Sequence, residues 1–264
     1  MPEPLQPGGS AEPPVSGPPD ASWSRGVELG ARGRYADASD TLLALLERRD
    51  RWHSLALSTL ASHRRQIGEA SEATRLDLDA LHHATDAESR ADALIGLAAD
   101  AVALGDSETA VARLANAEGD AREAWRTLTR WHWVGAELAL LTADRAPAAD
   151  HARAAVTACD GRSARHAAKS RIILAAATGS LDDLASVGEI VEAAGWVTLE
   201  WPLALVAADH AGGASPPWIG RAWESGRRAT VVIEEGLPTG LQRAWRSHPG
   251  VRRLRDEGRS PGGE

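Results

Sequence analysis

Residues 28–46 read ELGARGRYADASDTLLALL, and the fold turns on whether this stretch is unique. A glycine (Gly33) separates two runs. A tyrosine follows it by two residues (Tyr35), an alanine by five (Ala38), and then come leucines at helical spacing. Glycine reaches positive φ at little cost, so it can close one helix just before another begins. The arrangement returns downstream: Gly68 follows Gly33 by 35 residues, and Gly105 follows Gly68 by 37. Seven residues before each glycine stands a small residue (Gly26, Ala61, Ala98), and five after it an alanine (Ala38, Ala73, Ala110). Twelve after it comes Leu45, Ala80 or Ala117. The second and third copies also share Leu57-x2-Leu60-Ala61 and Leu94-x2-Leu97-Ala98. This spacing predicts antiparallel helical hairpins whose small residues let the paired helices approach closely. One hairpin cannot bury both of its faces, so copies must stack.

On these residues the chain resembles the tetratricopeptide repeat, a helix–turn–helix unit of ~34 residues with large–small pairs in its first helix and an alanine in its second. Leu57, Leu60, Ala61, Gly68, Ala73 and Ala80 carry the resemblance in the second copy. Leu94, Leu97, Ala98, Gly105, Ala110 and Ala117 carry it in the third. In the first copy it rests on Gly26, Gly33, Tyr35, Ala38 and Leu42. The family's first-helix Trp and Tyr and its terminal Pro are missing, and Asp77 stands where a large apolar residue is usual. The resemblance covers residues 20–120. It implies an α-α superhelix and binding of a protein or peptide along a concave wall, and it brings no catalytic residues.

Beyond Asp120 the hairpins continue at looser spacing. WRTLTRWHWVGAELALLTAD (125–144) pairs with APAADHARAAVTACDG (146–161), and SARHAAKSRIILAAATG (163–179) with SLDDLASVGEIVEAAG (180–195). TLEWPLALVAADHAGG (198–213) pairs with SPPWIGRAWESGRRATVVIEEG (215–236). The expected fold is all-α, about six stacked hairpins over residues 21–240, with residues 196–258 as a separate helical subdomain in an alternative parse. A basic helix over 241–258, breakable at His248-Pro249, caps the array. Residues 1–20, rich in Pro and Gly, and residues 259–264 read as disordered tails.

Composition narrows the function. The 264 residues are 43% hydrophobic and contain no Phe, one Tyr, ten Trp, one Cys and one Lys, Lys169. One cysteine excludes an intrachain disulfide. The start lacks the features of a signal peptide, and no apolar run is long enough to span a bilayer, so a cytoplasmic protein without membrane contact is expected. The net charge of −8 disfavours nucleic acid as a partner. Six arginines (243, 246, 252, 253, 255 and 259) nevertheless crowd the last segment. They leave open a regulatory role in transcription or signalling, through contact with nucleic acid or a regulator.

No phosphate loop, HExxH, GxSxG, CxxC or GxGxxG occurs, so no catalytic residue and no cofactor is assigned. Cys159 reads as an inert thiol. Asp79, His82, His83 and Asp86 share one helix face, where a metal site competes with a solvated Asp–His stripe; no metal is assigned. Trp131-His132-Trp133 either fills the core or presents aromatic anchors to a partner. Arg162, Arg165, His166 and Lys169 form a cationic stripe, either solvated or a clamp for a carboxylate or phosphate. Carried along the repeat, the register points Arg65, Gln66, Asp92, Trp131, His166 and Lys169 to the concave wall, as contacts for a protein or peptide partner.

Overall fold

The computed structural model describes residues 18–211 and 216–256. The expected tails therefore fall largely outside the described residues. Among these residues there are fourteen α-helices and no strand. They are α1 (Pro19–Ala31), α2 (Tyr35–Leu43), α3 (Arg51–Gln66), α4 (Ala70–His82), α5 (Ala87–Ala103), α6 (Ser107–Ala121) and α7 (Trp125–Leu141). Then follow α8 (Arg145–Cys159), α9 (Ala164–Thr178), α10 (Leu184–Ala194), α11 (Val197–Asp209), α12 (Pro217–Glu235), α13 (Thr239–Ser247) and α14 (Pro249–Asp256). No described helix is long and apolar enough to cross a membrane.

Local chemistry accounts for the boundaries. Gly33, Gly68 and Gly105 lie at φ +75°, +92° and +77°, each just past the end of a helix, in the left-handed region that a side chain disfavours. Asp50, Asp86, Asp106 and Ser163 cap α3, α5, α6 and α9 by accepting backbone N–H bonds of the first turn. His248 has extended backbone before Pro249, which separates α13 from α14.

Consecutive helices pair as hairpins, and the first helices of successive hairpins also touch: α1 with α3, α3 with α5, α5 with α7, α7 with α9, and α9 with α11. The anchor residues Ala38, Ala61, Ala73, Ala80, Ala98, Ala110 and Ala117 are fully buried between these helices. At such positions a methyl group sets the distance between helix axes.

The sequence gives no sign of one further contact: α11 returns to α1. The Thr198 hydroxyl donates to the Ala31 carbonyl at 3.1 Å, and the Ala36 N–H donates to the Gly236 carbonyl at 2.9 Å. Tyr35 and Ile67 from the first two hairpins share a buried apolar cluster with Ile233, Leu237, Trp245 and Val251 from the last helices. The Trp245 indole N–H is satisfied by the Thr230 carbonyl at 2.9 Å. Thus α13 and α14 do more than cover the sixth hairpin. They help join it to the first, and the row of first helices closes on itself.

Candidate binding wall

The inner side of this closed row is built from charge. Helix α5 is buried from residue 91 to 101, yet it carries Asp92 and Asp100, two turns apart on one face. Arg65, at the end of α3, answers Asp100: its Nε donates to Oδ1 at 2.6 Å. Its Nη2 donates to Asp77 Oδ2 at 2.7 Å and to the Gly96 carbonyl at 3.1 Å. Gly96 makes room for Asp77, because a Cβ there would stand 2.2 Å from Asp77 Oδ2. The acid at the expected apolar position is therefore half of a buried ion pair.

Burial pushes the Asp77 carboxyl up; Arg65 opposes the rise and Asp100 adds to it. Burial raises Asp100 as well, against Arg65. Asp77 Oδ1 and Asp100 Oδ2 have no donor. Burial and the neighbouring acid favour the protonated carboxyl, and a single guanidinium serves both acids.

Asp92 anchors the next layer. Arg126 Nη1 reaches both of its oxygens at 3.2 Å while Arg126 Nε donates to Glu88 at 3.1 Å, and Arg130 of α7 pairs with Asp92 as well. The Arg126 guanidinium also lies over the ring of Trp23 from α1, 5.0 Å from its centroid. Arg126 of α7 thus links Asp92 of α5 to Trp23 of α1. Burial, with Arg65 nearby, brings Arg130 down to about 10, which leaves it charged at neutral pH.

Helix α9 supplies the last layer. His166 stacks on Trp133 with centroids 5.1 Å apart, and its Nδ1 lies 2.9 Å from the capping Ser163 Oγ. Burial, then repulsion from Arg165, Arg126, Arg130 and Lys169, lowers His166 to about 3, so the ring is neutral. Lys169 lies 4.4 Å from the Trp133 centroid and 3.8 Å from Glu137 Oε1. Arg165 differs from its neighbours. Arg65, Arg126, Arg130 and Lys169 each touch an acid, whereas Arg165 makes no ion pair among the described residues, and its Nε is buried without a hydrogen-bond partner. Burial lowers Arg165, opposed by Tyr35 and by Glu28, which is itself paired with Arg32; the Arg165 field also reaches His63. Tyr35 donates to Gln66 Oε1 at 2.8 Å, and His63 packs edge-on against Tyr35. The Nδ1 of His63 is also buried without a partner. Burial, then Arg165, lowers His63 to about 3.

Arg65, Gln66, Asp92, His166 and Lys169 thus come together on this wall. Trp131 does not. Its indole N–H donates to the Leu114 carbonyl at 2.9 Å, and its ring lies beside His132 and His151, which turns it toward α6 and α8. Trp133 is the tryptophan of that trio that packs toward α9, with its N–H on Ser170 Oγ at 2.8 Å. The looser spacing after Asp120 had shifted the inward register by two residues.

The other candidates resolve into local structure. Asp86 caps α5 and pairs with Arg51 at 3.0 Å, while His83 bonds the Asp79 carbonyl at 2.9 Å and stacks on His53. No group of three or more His, Cys, Asp or Glu able to hold a metal occurs among the described residues. The Cys159 thiol is buried, 3.6 Å from Ser170 Oγ. Among the terminal arginines, Arg246 and Arg255 both face Glu234, at 2.6 and 2.5 Å. Sequence reasoning missed Asp77, Asp100, Arg126 and Arg130 as members of the wall. Acids at positions 92 and 100 of an otherwise Ala/Leu helix, and arginines four apart in α7, were the available signal.

No family model matches the chain, and no curated protein matches it.

The wall offers fixed cations, a neutral imidazole and aromatic faces. That equips it to hold an anion, since guanidinium and ammonium groups bind carboxylates by charge-assisted hydrogen bonds.

Proposed function

We propose that the chain is a non-catalytic adaptor of the tetratricopeptide-like class, and that its inner wall holds an acidic segment of another protein at the α9 stripe. One observation supports this above the others: Arg165 is a partly buried cation that makes no ion pair among the described residues. Desolvating a charge that no contacting acid compensates is costly, and each neighbouring cation has such an acid within the chain. An acid supplied by a partner completes the pattern. Lys169, 38% exposed and only loosely held by Glu137, stands ready as the second contact. A regulatory reading through the basic terminal helices has less support, because Arg246 and Arg255 are already turned to Glu234.

Titration calorimetry with a synthetic oligoglutamate peptide tests this reading. The overall charge of −8 repels such a peptide, so binding requires a local cationic site. Saturable binding is expected, weakened roughly tenfold or more by Arg165→Glu. Equal binding by the wild type and Arg165→Glu would refute it.

A further inference from the structure

The opposite side of the chain carries a second feature. A groove of about 520 Å³ runs between α6, α7 and α8. Its apolar lining comes from all three helices: Val111 and Leu114, Trp131 and Leu138, and Pro147. Val111 is 57% exposed. A large hydrophobic side chain open to water therefore lies in the groove, where burial against a partner would be favourable. The Trp131 indole N–H is already bonded, so the ring offers only its apolar body.

The polar edge of the groove has one sign. Glu108, Glu118 and Asp144 line it. Glu118 is paired with Arg122 at 2.5 Å, but Glu108 and Asp144 make no ion pair among the described residues. His151, also in the lining, is held neutral by burial, so it does not offset these acids at neutral pH. An apolar trough with an acidic edge is complementary to an amphipathic helix whose polar face is basic.

We propose that this groove is a docking site for a basic amphipathic helix of a partner protein, separate from the inner wall. Apolar side chains one turn apart on that helix cover Val111, Leu138 and Trp131, and its lysines or arginines meet Glu108 and Asp144.

A synthetic Leu/Lys amphipathic helix of about four turns is the probe, with a Leu/Glu helix of the same pattern as control. The key variant is Val111→Glu. It adds negative charge, so attraction of a cationic peptide to the protein as a whole would rise, whereas docking in the groove would fall. The proposal expects the Leu/Lys helix to bind saturably, roughly tenfold or more weaker to Val111→Glu and unchanged to Arg165→Met, with the Leu/Glu helix inert. It also expects Glu108→Lys with Asp144→Lys to weaken the Leu/Lys helix. Binding to Val111→Glu that equals or exceeds wild type, with circular dichroism unchanged, would overturn it. So would a dimer in sedimentation that Val111→Glu dissolves, which would give the groove to a second copy of the chain.

Discussion

Replacing Arg65 by methionine is expected to lower the melting temperature by roughly 6–20 °C, from a loss of about 3–5 kcal/mol. The substitution keeps the aliphatic bulk but leaves Asp77 and Asp100 buried with no cation in contact, Arg130 acting on Asp77 only at a distance. Removing one member of a buried ion pair costs far more than the pair contributed, because the remaining charge cannot be hydrated. The loss has a pH signature. Burial already raises both carboxyls, and without Arg65 they rise further. A group with a raised native pKa contributes stability that is complete below its unfolded value, ~3.9 for aspartate, and is lost as pH climbs through the native value. Each such group makes stability fall by about 1.4 kcal/mol per pH unit across that window. Arg65→Met should therefore approach wild type in acid and fall well short of it at pH 8, and Asp77→Asn with Asp100→Asn should restore part of the difference. Calorimetric melts at several pH values check this. A variant as stable as wild type at pH 8 would rule out the buried triad as described.

Gly236→Ala is expected to disrupt the junction that brings the last helices back to the first. Gly236 has an ordinary φ of −79°, so alanine meets no backbone penalty there. Its Cβ, however, would stand 2.0 Å from the Gly33 carbonyl oxygen and 3.2 Å from Arg34 Cα. Both are backbone atoms, and Gly33 is itself held against Val197 and Ile233. Relief requires the two segments to separate, at a cost at or above the ~1–3 kcal/mol usual for over-packing. Hydrogen exchange gives the specific readout, since the Ala36 N–H bonded to Gly236 should lose protection first. Gly240→Ala, where a Cβ meets nothing, is the matched control and should be neutral or slightly stabilising. An Ala36 amide as well protected in Gly236→Ala as in the wild type would refute the closure.

The hairpins were legible because they depend on neighbours in sequence. The glycines at 33, 68 and 105 and the alanines around them encode positive φ and close approach wherever they recur. Closure was not legible. It joins residue 31 to 198 and residue 36 to 236, with no periodic signal over such separations. Most of the wall could be placed from the repeat register while that register was regular, as for Arg65, Gln66 and Asp92. Projection failed at Trp131, where the spacing had loosened and a helix turn of ~100° per residue changes the face within two positions. In the sequence Asp77 shows only as a departure from an apolar pattern. Its meaning depends on the missing side chain of Gly96, a feature of the neighbouring helix that the local sequence does not carry.

Arg165→Met measures the central claim in a single variant, because binding and stability should move in opposite directions. A cation maintained for a partner's acid costs the free protein stability, so its removal should raise the melting temperature by roughly 2–4 °C, about 1 kcal/mol, while oligoglutamate binding falls roughly tenfold or more. A lower melting temperature with unchanged peptide affinity would make Arg165 a structural residue and contradict the assignment of the wall.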